Sequence, residues 1–428
     1  MLKDRYDLEL STTSTEARDH YVELIDKMLA ADGQIQQTID AVLDADPEMA
    51  LAHAAQAREH MLYGRPKEAR SSAETAASFA KNASRREQQH VEIIRHLVTG
   101  QIPKSFELTL EHIQDYPRDA FVLNPASGVF GTIGFSGRVT RETDQIELLE
   151  PLKTHYGNDW WFLTVYAFAL LETGQWREAR KLMEQSLEQR PTNSHGAHTF
   201  VHALFESGDD AEALSYMQDW IPNAPQDSLL RCHNWWHYAL LLLVNGDQAG
   251  AYKALEENCL PGTTNSPSIN VLTDSVSFLW RAELSGAERN LKHWQSLLEY
   301  YDSQFRQPIV FVDAHIGLVF AALGDFERLD QCIDELTALG ENNRLPAGTT
   351  AASLTKAYRA FAKQDWSGAI ELFEPMMEQL VRIGGSRAQR DLQTNTLLAA
   401  YMKDGRSEQA KTFLATQHDR QPSRPVVV

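Results

Sequence analysis

Residues 166–193 read "YAFALLETGQWREARKLMEQSLEQRPTN", and this stretch decides the fold. An apolar helical run stops at Gly174, and a second, amphipathic helix follows within two residues, with the small Ala179 near its start. The construction returns at 200–227 ("FVHALFESGDDAEALSYMQDWIPNAPQD"), 238–262 ("YALLLLVNGDQAGAYKALEENCLPG"), 317–340 and 358–380, and again from Leu397. Weaker copies stand at 60–80 and 96–117. The turn glycines Gly64, Gly100, Gly174, Gly208, Gly246, Gly286, Gly324 and Gly405 are 36, 74, 34, 38, 40, 38 and 81 residues apart. The two long gaps are each about two periods, and the last holds a "KQDW" turn at Lys363 to Trp366. Helix-turn-helix units at this spacing are the signature of tetratricopeptide-like solenoids. Glycine supplies the positive φ at which the first helix stops. Period-two alternation, the mark of strands, is hard to find.

The predicted fold is all-α, a right-handed superhelix (α-solenoid) of about eight to ten helix pairs curling round a concave pocket. Residues 1–123 form N-terminal repeats, 124–150 a glycine-rich connector or lid, and 151–428 the repeats that carry polar residues, as one continuous solenoid. The connector, "NPASGVFGTIGFSGRVTRETD" at 124–144, breaks the pattern with Gly128, Gly131, Gly134 and Gly137. It reads either as a kinked helix pair leading to a connector or as a loop over a pocket.

Charge narrows the partners. The 428-residue chain carries a net charge of −19, so attraction to nucleic acid or an anionic membrane is disfavoured. Its longest apolar run, "YALLLLV", is too short to span a bilayer, and the first residues lack an apolar signal core. Cys232, Cys259 and Cys332 are odd in number and widely spaced, which argues against a disulfide framework. A cytoplasmic protein is the expectation.

Unusual polar residues recur at matching heights above the turns. His198, His237, Ser277, His315 and Asn395 lie nine or ten residues before their glycines. His195, His233, Asp274, Asp313 and Asp391 lie eleven to fourteen before, and His202 and Trp280 six before. First helices of successive units line the concave side of such a solenoid, so these rows should converge there. Spacings of four place His198 with His202, and His233 with His237, on one helix face. Burying so many polar groups is costly unless they serve a purpose.

Two uses of the histidines compete. An H-x-x-x-H pair can supply two ligands to one ion, so His198, His202, His233 and His237 could hold a divalent metal. The general-base Glu of H-E-x-x-H is absent, and metal-free acid–base chemistry is at least as compatible. "GGSRAQRD" at 384–391 combines an S-x-x-Q capping box, Ser386 with Gln389, and arginines one turn into a helix. Arg390 is therefore a candidate anion clamp or else a structural ion pair. There is no Walker loop, dinucleotide fingerprint or nucleophile elbow.

"LSTTSTEA" (10–17), "AHTFVHALFESG" (197–208), "HNWWHYALLLLVNGD" (233–247), "LTDSVSFLWRAELSG" (272–286), "FVDAHIGLVFAALGD" (311–325) and "GGSRAQRD" occur in an order that resembles the tetratricopeptide repeat protein 38 family. The resemblance implies an all-helical repeat fold and no settled reaction. The family's recurrent residues coincide with His198, His202, His233, His237, Asp274, Asp313, His315, Arg390 and Asp391.

The functional expectation is a small-molecule enzyme of hydrolase or lyase type acting on an anionic organic ligand. His198 or His237 would be the general base, and Asp313 would orient a histidine, with His315 in the same catalytic set. His202, His233, Trp236, Asp274, Trp280, Ser386, Arg390 and Asp391 would contact the substrate. The alternative is a non-catalytic scaffold that binds a peptide or partner protein in its concave groove. Either could form a homo-oligomer.

Overall fold

The computed structural model describes residues 2–416. A two-strand antiparallel ribbon, Leu2–Lys3 against Glu9–Leu10, precedes a chain of helical hairpins. The first and second helices of each hairpin differ in composition, and the difference sorts them into layers. Every residue of Trp160–Glu172 is buried, whereas its partner Trp176–Gln189 buries only Ala179, Met183 and Ser186. Val310–Leu323 and Phe326–Glu341 repeat that contrast. A helix that is apolar all round needs neighbours on every side, while one with a narrow apolar stripe belongs at the surface.

The inner helices Trp160–Glu172, Ser194–Ser207, Arg231–Val244, Ser268–Leu284, Val310–Leu323 and Thr350–Ala362 pack each against the next. The predicted α-solenoid is the architecture observed. It curls back on itself: Ser268–Leu284 also touches Arg387–Lys403, and the N-terminal helix Thr15–Ala30 touches Ser194–Ser207. All eight turn glycines have positive φ, from 67° to 97°. The "KQDW" turn uses Gln364 at φ 60° instead, a strained position for a residue with a Cβ.

The glycine-rich segment is a packed wedge. Its start forms a short 3-10 turn, Asn124–Ala126, and its end the helix Arg141–Leu149. Phe130 stacks on Phe135 and meets Phe311 edge-on. Arg141, fully buried, donates to the backbone carbonyls of Val381 (2.6 Å) and Gly385. Gly137, at φ 70°, lies where an added Cβ would stand 2.2 Å from the Pro346 carbonyl carbon. Among the described residues no helix is long and apolar enough to cross a membrane.

Candidate functional site

Two neighbouring inner helices build the centre of the site. Ser194–Ser207 begins at Asn193, whose side chain accepts a hydrogen bond from the Gly196 amide at 2.9 Å, and ends on left-handed Gly208. Arg231–Val244 packs alongside. Each contributes two histidines one turn apart on a single face, and the faces meet. The His198 ring lies 4.5 Å from His202, 4.8 Å from His233 and 5.2 Å from His237, centroid to centroid. His202 and His237 are 4.6 Å apart. One ligand-capable nitrogen from each ring lies within 4.8 Å of the other three, and all four residues are buried. His198 Nε2 and His202 Nε2 are 2.9 Å apart. His198 Nδ1 and His237 Nε2 are buried without a hydrogen-bond partner.

The next inner helix positions one of the rings. His233 Nδ1 lies 2.9 Å from Asp274 Oδ2, and Asn270 donates to the same oxygen at 3.4 Å. An Nδ1–H given to the carboxylate leaves Nε2 as the nitrogen turned to the other rings. Trp236 stacks on His233 at 5.0 Å and Phe168 meets His202 edge-on, so the rings sit in an aromatic sleeve. Burial, reinforced by the neighbouring imidazoles, holds His198 and His237 well below the usual histidine range. Both are neutral, and a proton brought to one of them would sit in low dielectric beside the other rings.

The other residues of the predicted set do not join this cluster. Asp313 lies across its helix from the cavity, where the carboxyl is sensed by Tyr301 and by Cys332 of the outer helix. Burial, with Glu335 as a like charge, pushes it up to about 7. It orients no histidine. His315 donates its Nδ1–H to the Phe311 carbonyl at 2.7 Å, a turn of its own helix, and burial lowers it to about 4. Trp280 donates to Thr396 at 3.0 Å and packs among Trp294, Tyr358 and Phe361, so it is core and not a pocket wall.

Arg390 is already engaged. It binds Glu142 and the Gly385 carbonyl and stands 3.6 Å from Glu172. Of the two uses foreseen for it, the structural ion pair is the one found, and the anion clamp is withdrawn. Ser386 and Gln389 form the capping box that starts Arg387–Lys403, and Asp391 is buried on that helix. Sequence reasoning missed Glu142 and Glu172; the acidity of Glu172 at the end of an apolar helix was the only available signal.

A cavity of about 1570 Å³ opens over the histidines. His195, His198 and His233 reach it, together with Phe168 from the inner ring. Its far wall is the Ile102–Asp115 helix, which turns Ile102, Phe106, Leu110 and Ile113 inward. Ile102 and Leu110 are 36% and 38% exposed. The glycine-rich segment adds Phe130, Ile133 and Phe135. Ile102, Phe106, Leu110 and Ile113 were not singled out from the sequence, because they fit an ordinary amphipathic stripe.

The tetratricopeptide repeat family matches residues 157–231, the stretch that spans the first two complete hairpins after the wedge. Among solved structures, the chain is similar to the human IFIT1 dimer with m7Gppp-AAAA, at 12% identity and a TM-score of 0.43, over 97% of this chain and 96% of that one. It is also similar to the tetratricopeptide domain of P58(IPK), at 14% identity and a TM-score of 0.22, over 95% and 100%. The hydrolase-or-lyase expectation does not survive these findings. The matched family is one of helical repeats, Arg390 and Trp280 are held in structural contacts, and Asp313 lies away from the histidines. With Arg390 occupied, the case for a small anionic ligand falls too.

Proposed function

We propose that this chain is a non-catalytic tetratricopeptide scaffold that receives an apolar, helix-forming segment of a partner protein in its concave cavity. The observation that carries the proposal is the unfilled apolar row Ile102, Phe106 and Leu110. Residues four apart make a ridge along one helix face, and such a ridge interlocks with the equivalent ridge of a second helix. At about 1570 Å³ the cavity exceeds the about 300–1,000 Å³ of a small-molecule site. Removing half-exposed leucine-sized groups from water supplies about 25 cal/mol per Å² of apolar surface covered. With a net charge of −19, the chain favours a partner segment with basic flanks, chiefly through faster encounter. The six motifs that run in order from residue 10 to residue 391 support the finer placement in the tetratricopeptide repeat protein 38 family.

The test is a displayed library of random 16-residue peptides selected on the wild-type protein and counter-selected on Phe106→Asp/Leu110→Asp. Enrichment of sequences with apolar residues at i and i+4 that fail to bind the double variant is the expected result. Enrichment of peptides that bind both proteins equally, or of none, would overturn the proposal. Both proteins are first matched by circular dichroism.

A further inference from the structure

We infer that His198, His202, His233 and His237 form a binding site for one divalent transition-metal ion, with Zn²⁺ the best match, which ties two successive inner helices together. The inference is independent of the partner-binding role. Four ligand nitrogens drawn as two i, i+4 pairs from adjacent helices are confined within 4.8 Å of one another. A tetrahedral site with metal–nitrogen bonds of about 2.0–2.1 Å places its ligand atoms about 3.3 Å apart. The His198–His202 pair at 2.9 Å is already near that edge length, and the torsion about Cβ–Cγ of an imidazole is broad enough for the wider pairs to close.

Two further observations point to a ligand. His237 Nε2 is buried and without a partner, and native proteins rarely leave such an atom unsatisfied. Asp274 takes the Nδ1–H of His233, the carboxylate–histidine arrangement that orients a metal-ligating ring and raises its basicity. An all-imidazole set suits zinc, copper or nickel better than calcium or magnesium, which take oxygen ligands. Four protein ligands leave no vacant coordination position, so the site is structural in type and holds no activated water. His198 and His233 border the large cavity, which gives the ion its access route.

The experiment uses the full chain, tag removed and dialysed against chelator, titrated separately with Zn²⁺ and Co²⁺. Elemental mass spectrometry after gel filtration should find one equivalent of either ion, and the Co²⁺ form should show the visible bands of a tetrahedral nitrogen site. The folded His198→Gln/His237→Gln variant should lose the ion, while the surface change His20→Gln should keep it. Asp274→Asn should bind about 10- to 100-fold more weakly. Hydrogen exchange of the wild type covers the event that the double variant fails to fold. Metal should slow exchange in Ser194–Ser207 and Arg231–Val244 more than elsewhere. Absence of bound metal in the folded wild type, retention by the folded double variant, or protection confined to other helices would each overturn the inference.

Discussion

Replacing Asp313 by Asn should stabilise the protein, and by an amount that grows with pH. Asp313 is buried at 5% exposure, its Oδ2 has no hydrogen-bond partner, and burial and Glu335 push it up to about 7. An unfolded aspartate ionises near 3.8. Because the folded state holds the proton longer, stability is lost as pH rises from about 4 to 7. Taking those two values, the loss is about 2 kcal/mol at pH 5 and about 4 kcal/mol at pH 8. Asparagine has the same shape and no charge, so its advantage over the wild type should widen by about 2–3 kcal/mol between the two pH values. Urea unfolding followed by far-ultraviolet circular dichroism, at pH 5 and pH 8 with the slope held common, measures this directly. An Asn variant that tracks the wild type at both pH values, or is weaker at pH 8, would refute the argument. It would mean that the ionised carboxylate has a partner that stabilises it.

Other consequences are as definite. Arg390→Ala removes the cation that Glu142 and Glu172 share, and should cost about 3–5 kcal/mol, read as a lower thermal midpoint. An unchanged midpoint would reopen the anion-clamp role. Gly137→Ala combines a left-handed backbone with a collision against Pro346, so it should lift the wedge and expose residues 124–140 to limited proteolysis. A cleavage pattern like the wild type's would count against a docked wedge. In the N-terminal repeats, Arg86, His90 and His112 converge on Asp119 Oδ2 at 2.8, 3.1 and 3.1 Å; burial opposes ionisation of this carboxyl, but the Arg86 guanidinium and the hydrogen bonds from the two imidazoles hold it well below the usual range. That stability is present above an unfolded aspartate's pKa and is lost as pH falls below it. Asp119→Asn should therefore lower the melting temperature more at pH 7 than at pH 3, by the equivalent of about 1 kcal/mol, with the rest of the difference lost at still lower pH, and equal losses would exclude an ionised Asp119.

The repeat architecture was legible because a helical stop recurs as glycine, and a positive φ is a demand that sequence can hardly disguise. The histidine cluster was legible for a related reason: two pairs four residues apart lie on consecutive inner helices, with His198 and His237 at matching heights above their turns. Counting from the turns failed at Asp313 because its row spanned eleven to fourteen residues. Three positions of slack are about 300° of rotation at 100° per residue. Asp313 sits two residues, about 200°, from His315, and so projects to the opposite side. Arg390 was ambiguous because its partner Glu142 lies 248 residues away, joined by superhelical closure that no local pattern encodes. The apolar cavity wall was illegible for the converse reason, since an unfilled stripe and a filled one have the same spelling.

The buried guanidinium of Arg141, held by carbonyls 240 and 244 residues downstream, gives the chain a timetable as well as a shape. An open array of hairpins can settle unit by unit as it is made, each resting on the last. Here the fourth helical hairpin's predecessor cannot seat until the penultimate one exists. At about 5–20 residues per second on the ribosome, that is a wait of roughly 12–50 seconds. Throughout it Phe135 lacks the Gly384 surface it later covers, and for most of it Phe130 lacks Phe311. Synthesis thus creates an interval in which a sticky, glycine-rich stretch needs shelter, and a chaperone that recognises short aromatic segments would find its substrate there.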